Sequence, residues 1–409
     1  MAFMVNMYFI CCNHGWTVVV CIRSDLPDCR RDYMNSVKVW TMRGLTALVP
    51  AIALAMPAFA QVRDPKLADL TEPGSVIIYP KFATGAVPVD GGPPAPGYNA
   101  PKTLIELSIQ CPTNAVPCFE PTPVRVHFHW VCPPVAPSNV CLESDFDVTA
   151  TVGFDGGEKI TFNPGDGTTN IPNPAGFGTI NGNTVAGNLP PLGCTRGYLI
   201  GWVVNFRDQP IKFDALTGDV IQRNNGADLQ SEQAFTIQAD PALANAAAIT
   251  TTAAGGLIFD GNPGHYLAVT GQISGDVRYD DGGTNPPGDG FLILFTLDVR
   301  SSLPNATTVV GLDFFNETSE QPRSTSTSFT CWGQVQLSTG ISPVLTVPNM
   351  GSIKGQVVSG QAFNQLTGDL VTLMGFFQET EGPAAASRSY TTRFNNNSVV
   401  IPTTFLPLP

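Results

Sequence analysis

The run Val124–Cys132, VRVHFHWVC, restricts the fold of this chain more than any other stretch. Apolar and polar residues alternate along it. Val124, Val126, Phe128 and Trp130 share one side and Arg125, His127 and His129 the other, which is the period of a strand and not of a helix. Thr103–Gln110 (TLIELSIQ) repeats the pattern with Ile105, Leu107 and Ile109 on one face. Phe146–Val152 (FDVTATV) and Gly197–Asn205 (GYLIGWVVN) repeat it again. Phe291–Phe295 is apolar without alternation, so it is expected at the centre of a sheet with both faces covered. These short segments are punctuated by 40 Gly and 36 Pro, the pattern of many strands joined by turns. The expected fold class is all-β: one or two antiparallel β-sandwich units with long Gly/Pro-rich loops. One short helix is expected at Asp240–Ile249, DPALANAAAI, with Asp240 as N-cap and Pro241 at the first helical position.

Met42–Ala60, MRGLTALVPAIALAMPAFA, combines a basic start at Arg43, a short apolar run and an Ala-Phe-Ala end. These are the parts of a secretory signal cleaved before Gln61. The run is too short, and too interrupted by Pro50 and Pro57, for a membrane span. Residues 1–41 precede this signal, so translation is expected to start at Met34 or Met42, with 1–41 a mis-called start or leader extension. The expected organisation is then a signal peptide over 42–60, a first sandwich unit over 61–238, an Ala-rich linker or short helix over 239–256 and a second unit over 257–409. An exported protein of the cell surface, the periplasm or the extracellular space follows, with no transmembrane span in the mature part.

Residues 1–60 carry five Lys/Arg and three Asp/Glu, leaving a net charge of −14 on residues 61–409. No basic run is available to offset phosphate charge, which excludes nucleic acid as the partner class. Six cysteines follow the signal: Cys111, Cys118, Cys132, Cys141, Cys194 and Cys331. An even number in an exported chain reads as disulfides, and six allow fifteen pairings. The short Pro-containing loops favour Cys111–Cys118 and Cys132–Cys141, leaving Cys194–Cys331 to link the two halves. No C-x-x-C pair supports a zinc reading of the thiols.

GSVIIYPKF, TLIEL, VRVHFHWVC, RGYLIGWVV and PIKFDALTGDV together resemble a group of uncharacterised exported β-rich proteins of Gram-negative bacteria. The resemblance spans most of the chain after the signal. It implies export and a β-rich fold and carries no activity and no functional residue.

His127 and His129 are the sharpest candidate for chemistry. Two imidazoles at i and i+2 on one strand face suit zinc or copper if His265 or an acidic residue supplies a third ligand. The plainer reading is a polar strand face hydrogen-bonded to its neighbours. Asp280 and Asp281, in the turn YDDGG, offer hard oxygens for calcium, with Asp289, Asp155, Glu158 and Asp166 in similar clusters. Ordinary Asp/Gly turn chemistry accounts for the same residues, and no EF-hand spacing is present. No G-x-S-x-G, H-E-x-x-H or phosphate-binding loop occurs. Trp130, Trp202 and Trp332 could stack on sugars, but their strand positions point to core packing. The expected function is a non-catalytic binding or structural module that contacts a protein or glycan through its loops. The alternative is a secreted, glycan-directed hydrolase with paired carboxylates on sandwich loops.

Overall fold

Alternating and continuous apolar runs between Gly/Pro breaks become strands throughout the chain, and no helix forms among the described residues. The computed structural model describes residues 5–12, 15–22, 67–84, 102–109, 123–151, 159–165, 168–172, 180–181, 188–224, 228–279, 289–300, 303–315, 323–336, 353–365, 370–381, 388–393, 395–396 and 403–406. Two compact units result, residues 1–62 and residues 63–409. In the first, β1 (Val5–Cys12) pairs antiparallel with β2 (Gly15–Ile22). Both runs are rich in the β-branched and aromatic residues that suit strands.

In chain order the second unit continues with β3 (Val76–Ala83), β4 (Lys102–Ile109), β5 (Pro123–Cys132), β6 (Leu142–Thr151), β7 (Lys159–Asn163), β8 (Thr168–Pro172) and β9 (Ile180–Asn181). Then come β10 (Arg196–Val204), β11 (Leu216–Asn224), β12 (Asp228–Gln233), β13 (Phe235–Ile237), β14 (Leu257–Phe259), β15 (Gln272–Tyr279) and β16 (Asp289–Phe295). The last are β17 (Thr308–Phe315), β18 (Arg323–Phe329), β19 (Trp332–Gln336), β20 (Ile353–Asn364), β21 (Met374–Glu381), β22 (Arg388–Arg393), β23 (Asn395–Asn396) and β24 (Thr403–Phe405).

Four sheets stack in layers. The outermost, β12-β11-β4-β7-β8-β9, faces the sheet β13-β3-β10-β5-β6 across Ile105, Leu107, Val126, Phe128, Trp130, Leu199 and Val220. The opposite face of that second sheet carries Val76, Ile78, Ile200, Trp202 and Ile237. It packs on Phe291, Ile293, Phe295, Trp332 and Phe376 of the third sheet, β19-β16-β21-β22. Leu292, Leu294 and Phe377 then turn away to meet Val310, Leu312 and Ala362 of the fourth, β18-β17-β20-β15-β23. The result is two sandwiches back to back, sharing an apolar layer. Strand β3 and all but the first residue of β10 are therefore buried on both faces, and Phe291–Phe295 is covered on both sides as its sequence implies.

Polar groups in the shared layer find partners across it. Trp332 Nε1–H donates to the Pro80 carbonyl at 2.9 Å, Tyr198 donates to the Thr296 carbonyl at 3.1 Å, and Lys81 Nζ donates to Gln378 Oε1 at 2.7 Å. Burying these groups without partners would cost about 1–3 kcal/mol each, so the bonds set the register of one sandwich on the other.

The disulfides join Cys132 to Cys194 and Cys141 to Cys331, which corrects the expected Cys132–Cys141 and Cys194–Cys331 pairs. The reason is strand parity. Cys132 pairs with Leu142 across the β5–β6 ladder, so Cys141 faces the other side of the sheet. Cys132 and Cys194 share the core of the first sandwich, while Cys141 and Cys331 lie in the layer between the sandwiches. Cys111 and Cys118 lie outside the described residues.

The expected helix at Asp240–Ile249 is a second correction. The segment runs through turns, with Ala246 at φ 62°. Beside two turn bonds within the segment, Leu243 N to Asp240 O and Ala247 N to Ala244 O, its backbone bonds outward: Ala246 N to Lys212 O at 2.8 Å, Lys212 N to Ala247 O at 2.9 Å and Ile249 N to Pro210 O at 2.8 Å. Asp240 caps Ala242 N at 3.0 Å but also accepts from Gly264 N at 2.9 Å, tying the turn to a distant loop. A ten-residue helix has little stability of its own, and these bonds outweigh it.

No helix long and apolar enough to cross a membrane occurs among the described residues. Gly201 in β10 shows how closely the first sandwich is packed. A Cβ there would lie 2.3 Å from Phe128 Cε1, and Phe128 is held against Phe146 and Phe162 at centroid distances of 5.2 Å. Gly201→Ala is expected to destabilise the fold by about 3 kcal/mol, read as a lower urea midpoint with an unchanged slope. An unshifted midpoint would mean that the ring has room to move.

Candidate metal centre

The β5–β6 ladder builds one cluster of chemically active side chains. Its register sets His127 opposite Asp147, His129 opposite Asp145 and Val131 opposite Glu143. Phe146 and Val148 point into the first sandwich, so Glu143, Asp145 and Asp147 share the face of β6 that continues the histidine face of β5. Strand β6 ends its sheet, which leaves Asp145 exposed, His127 half-buried and His129 fully buried.

His127 Nε2 and His129 Nε2 stand 2.7 Å apart. His127 Nδ1 is 2.8 Å from Asp147 Oδ1, and His129 Nδ1 is 4.0 Å from Glu143 Oε2. Asp147 also bonds the Arg125 guanidinium, which reaches on to Asp208 Oδ1 at 2.6 Å. One ligand atom each from His127, His129 and Asp145 lies within 4.8 Å of the others, the one such group of His, Cys, Asp or Glu among the described residues.

The surroundings hold the rings. Trp202, beside β5 on β10, stacks on His129 at 5.1 Å with planes 15° apart and meets His127 edge-on at 4.9 Å. Phe405 closes the inner side, 6.0 Å from both His129 and Trp202. This burial, reinforced by the neighbouring His127, pushes the His129 imidazole down to about 3. Burial opposes ionisation of the Asp147 carboxyl, yet its bonds to Arg125 and His127 hold it below the usual carboxylate range.

Alternation along β5 placed the two histidines on one face, but not the depth of His129, because the sheet's second apolar face is created by the stacked sandwich. His265, considered as a third ligand, sits instead 2.8 Å from Asp260 Oδ1 in its own turn and takes no part in the group. Asp145 takes that place. Its signal in the sequence is the i, i+2 series Glu143, Asp145, Asp147, which has the parity of the histidines once the hairpin register is known. Asp280 and Asp281 lie outside the described residues, as do Asp155, Glu158 and Asp166. Trp130, Trp202 and Trp332 are buried in the cores.

A separate recess of about 200 Å³ is lined by Asp298, Arg300, Asn305, Thr308, Asn364 and Val371. Burial raises the Asp298 carboxyl there, against the opposing pull of Arg300. The Asn305 amide is spent on the Arg300 and Leu303 backbone and shapes the loop.

No family model, no curated protein and no solved structure matches the chain.

Proposed function

We propose that the protein is an exported, non-catalytic binding or structural module of the cell surface, periplasm or extracellular space, recognising a protein or glycan through its loops. The observation that carries this reading is the Cys141–Cys331 disulfide, which spans 190 residues and lies in the layer between the two sandwiches. Bonds of that kind persist where thiols are oxidised, outside the cytosol. The signal-like run Met42–Ala60 accounts for how the chain would reach such a compartment. The inner faces of the four sheets are taken up by core packing, and the loops at the sheet ends are where such a scaffold usually carries recognition.

Expression of the full chain in a Gram-negative host tests the reading. The expected product is recovered outside the cytosol, begins at Gln61 and shows no free thiol at Cys132, Cys141, Cys194 or Cys331. Cytosolic protein with reactive thiols would overturn it. Glycan-array and pull-down binding by the recovered protein is expected without turnover. Release of reducing sugar from an array glycan would instead establish the hydrolase.

A further inference from the structure

We propose that His127, His129 and Asp145 bind one divalent transition-metal ion of the zinc(II) or copper(II) class, with Asp147 and Glu143 orienting the two imidazoles and one coordination position open to solvent. The argument starts from proton placement. Each neutral imidazole has one N–H and one lone pair. If His129 Nε2–H donates to His127 Nε2 across their 2.7 Å separation, His129 Nδ1 becomes a buried acceptor. It then faces the Glu143 carboxylate 4.0 Å away, itself an acceptor, and finds no hydrogen-bond partner. If His127 Nε2–H is the donor instead, His127 Nδ1 turns a lone pair toward Asp147 Oδ1 at 2.8 Å, acceptor against acceptor. Neither arrangement suits both carboxylates.

A cation between the two Nε2 atoms removes the conflict. Both Nδ1 atoms then carry hydrogen, His127 donating to Asp147 and His129 directed at Glu143. This carboxylate–histidine arrangement is the usual one behind metal-bound imidazoles. Asp145, opposite His129 in the ladder, supplies an oxygen from the solvent side. Two nitrogens and one carboxylate oxygen form a borderline donor set that suits zinc and copper far better than calcium. Metal–ligand bonds of about 2.1 Å require ligand atoms about 3.4 Å apart, so the imidazoles need to separate by less than 1 Å. Trp202 and Phe405 keep the rings from turning away. The alternative occupant of the same position is a single proton, giving an imidazole–imidazolium pair, and binding measurements separate the two.

The experiment uses the full chain purified without an affinity tag, stripped with chelator and dialysed. Titration with zinc sulfate and with copper(II) sulfate is expected to show one tightly bound ion per chain at this site, and copper is expected to quench Trp202 fluorescence. Asp145→Asn, a change at an exposed position, is expected to weaken binding about 100-fold while leaving the melting curve of the stripped protein unmoved. Asp147→Asn is expected to weaken it about 10–100-fold with stoichiometry retained, as for other orienting carboxylates. His127→Asn is expected to abolish the tight site. Absence of stoichiometric binding of either ion, or binding that Asp145→Asn and His127→Asn leave unchanged, would overturn the assignment. The proposal goes beyond the export reading, and failure here leaves the thiol and localisation results untouched.

Discussion

Exchanging Cys141 and Cys331 together for serine is expected to lower the unfolding free energy by about 5 kcal/mol, the largest single loss predicted for this chain. The magnitude follows from the 190 residues that the bond closes in the unfolded state. Cys132–Cys194 closes 62 residues, for which the same relation gives about 4 kcal/mol. The two loops overlap in sequence, so the losses are not expected to add. The effects also differ in place. Cys141 and Cys331 face the layer between the sandwiches, so opening their bond is expected to increase hydrogen exchange first at Tyr198, Phe295 and Trp332. Opening Cys132–Cys194 is expected to act within the first sandwich, around Trp130 and Leu199. Urea denaturation of the two double-serine variants, with exchange mapping, measures both. Equal midpoints for the Cys141/Cys331 variant and the parent would mean that the sandwiches hold together by packing alone.

The second large effect is a pH dependence centred on His129. Its imidazole is driven from an ordinary value near 6.5 to about 3 by burial and by His127, so the folded state binds the proton less well than the unfolded chain. The sign follows directly: this contribution is fully present above pH 6.5 and is lost as the pH falls toward 3. The span corresponds to at most about 5 kcal/mol, reduced in practice by coupling between the two rings. The groups facing His129 are His127, Glu143, Asp145 and Asp147 on its own and the adjacent strand. The β10 and β24 sides present Trp202 and Phe405. Asp214 and Asp298, both raised by burial, act in the opposite direction, so the parent profile alone is a sum. His129→Leu isolates the one group. Metal-stripped parent and variant are to be compared by urea unfolding at pH 7.5 and pH 4. The variant is expected to retain up to about 3 kcal/mol more of its neutral-pH stability at pH 4. Parallel profiles would show that His129 titrates near its ordinary value.

Much of the fold is legible in short stretches. The parity of Ile105, Leu107 and Ile109, and of Val126, Phe128 and Trp130, names the faces that meet in the first sandwich. The unbroken apolar run Phe291–Phe295 names a strand covered twice. Asp240–Ile249 misleads because a cap and a run of alanines describe only local preference. The bonds that decide its course come from the Pro210 and Lys212 backbone and from Gly264 N, which holds the Asp240 carboxylate. In the candidate site, His127 and His129 are visible as a pair. Asp145 emerges only from the ladder, and Trp202 only from the neighbouring strand.

By itself the sequence determined that the chain makes strands, which residues share each strand face, and that its cysteines are numerous enough to bridge. All of these rest on a period of two residues and on composition, which neighbours along the chain enforce. The tertiary structure alone decided that two sandwiches stack through a common apolar layer and that Cys141 meets Cys331. It also decided that a buried histidine faces an exposed aspartate across a ladder. Those outcomes depend on register between strands far apart in sequence, where a shift of one residue would turn every side chain to the other face.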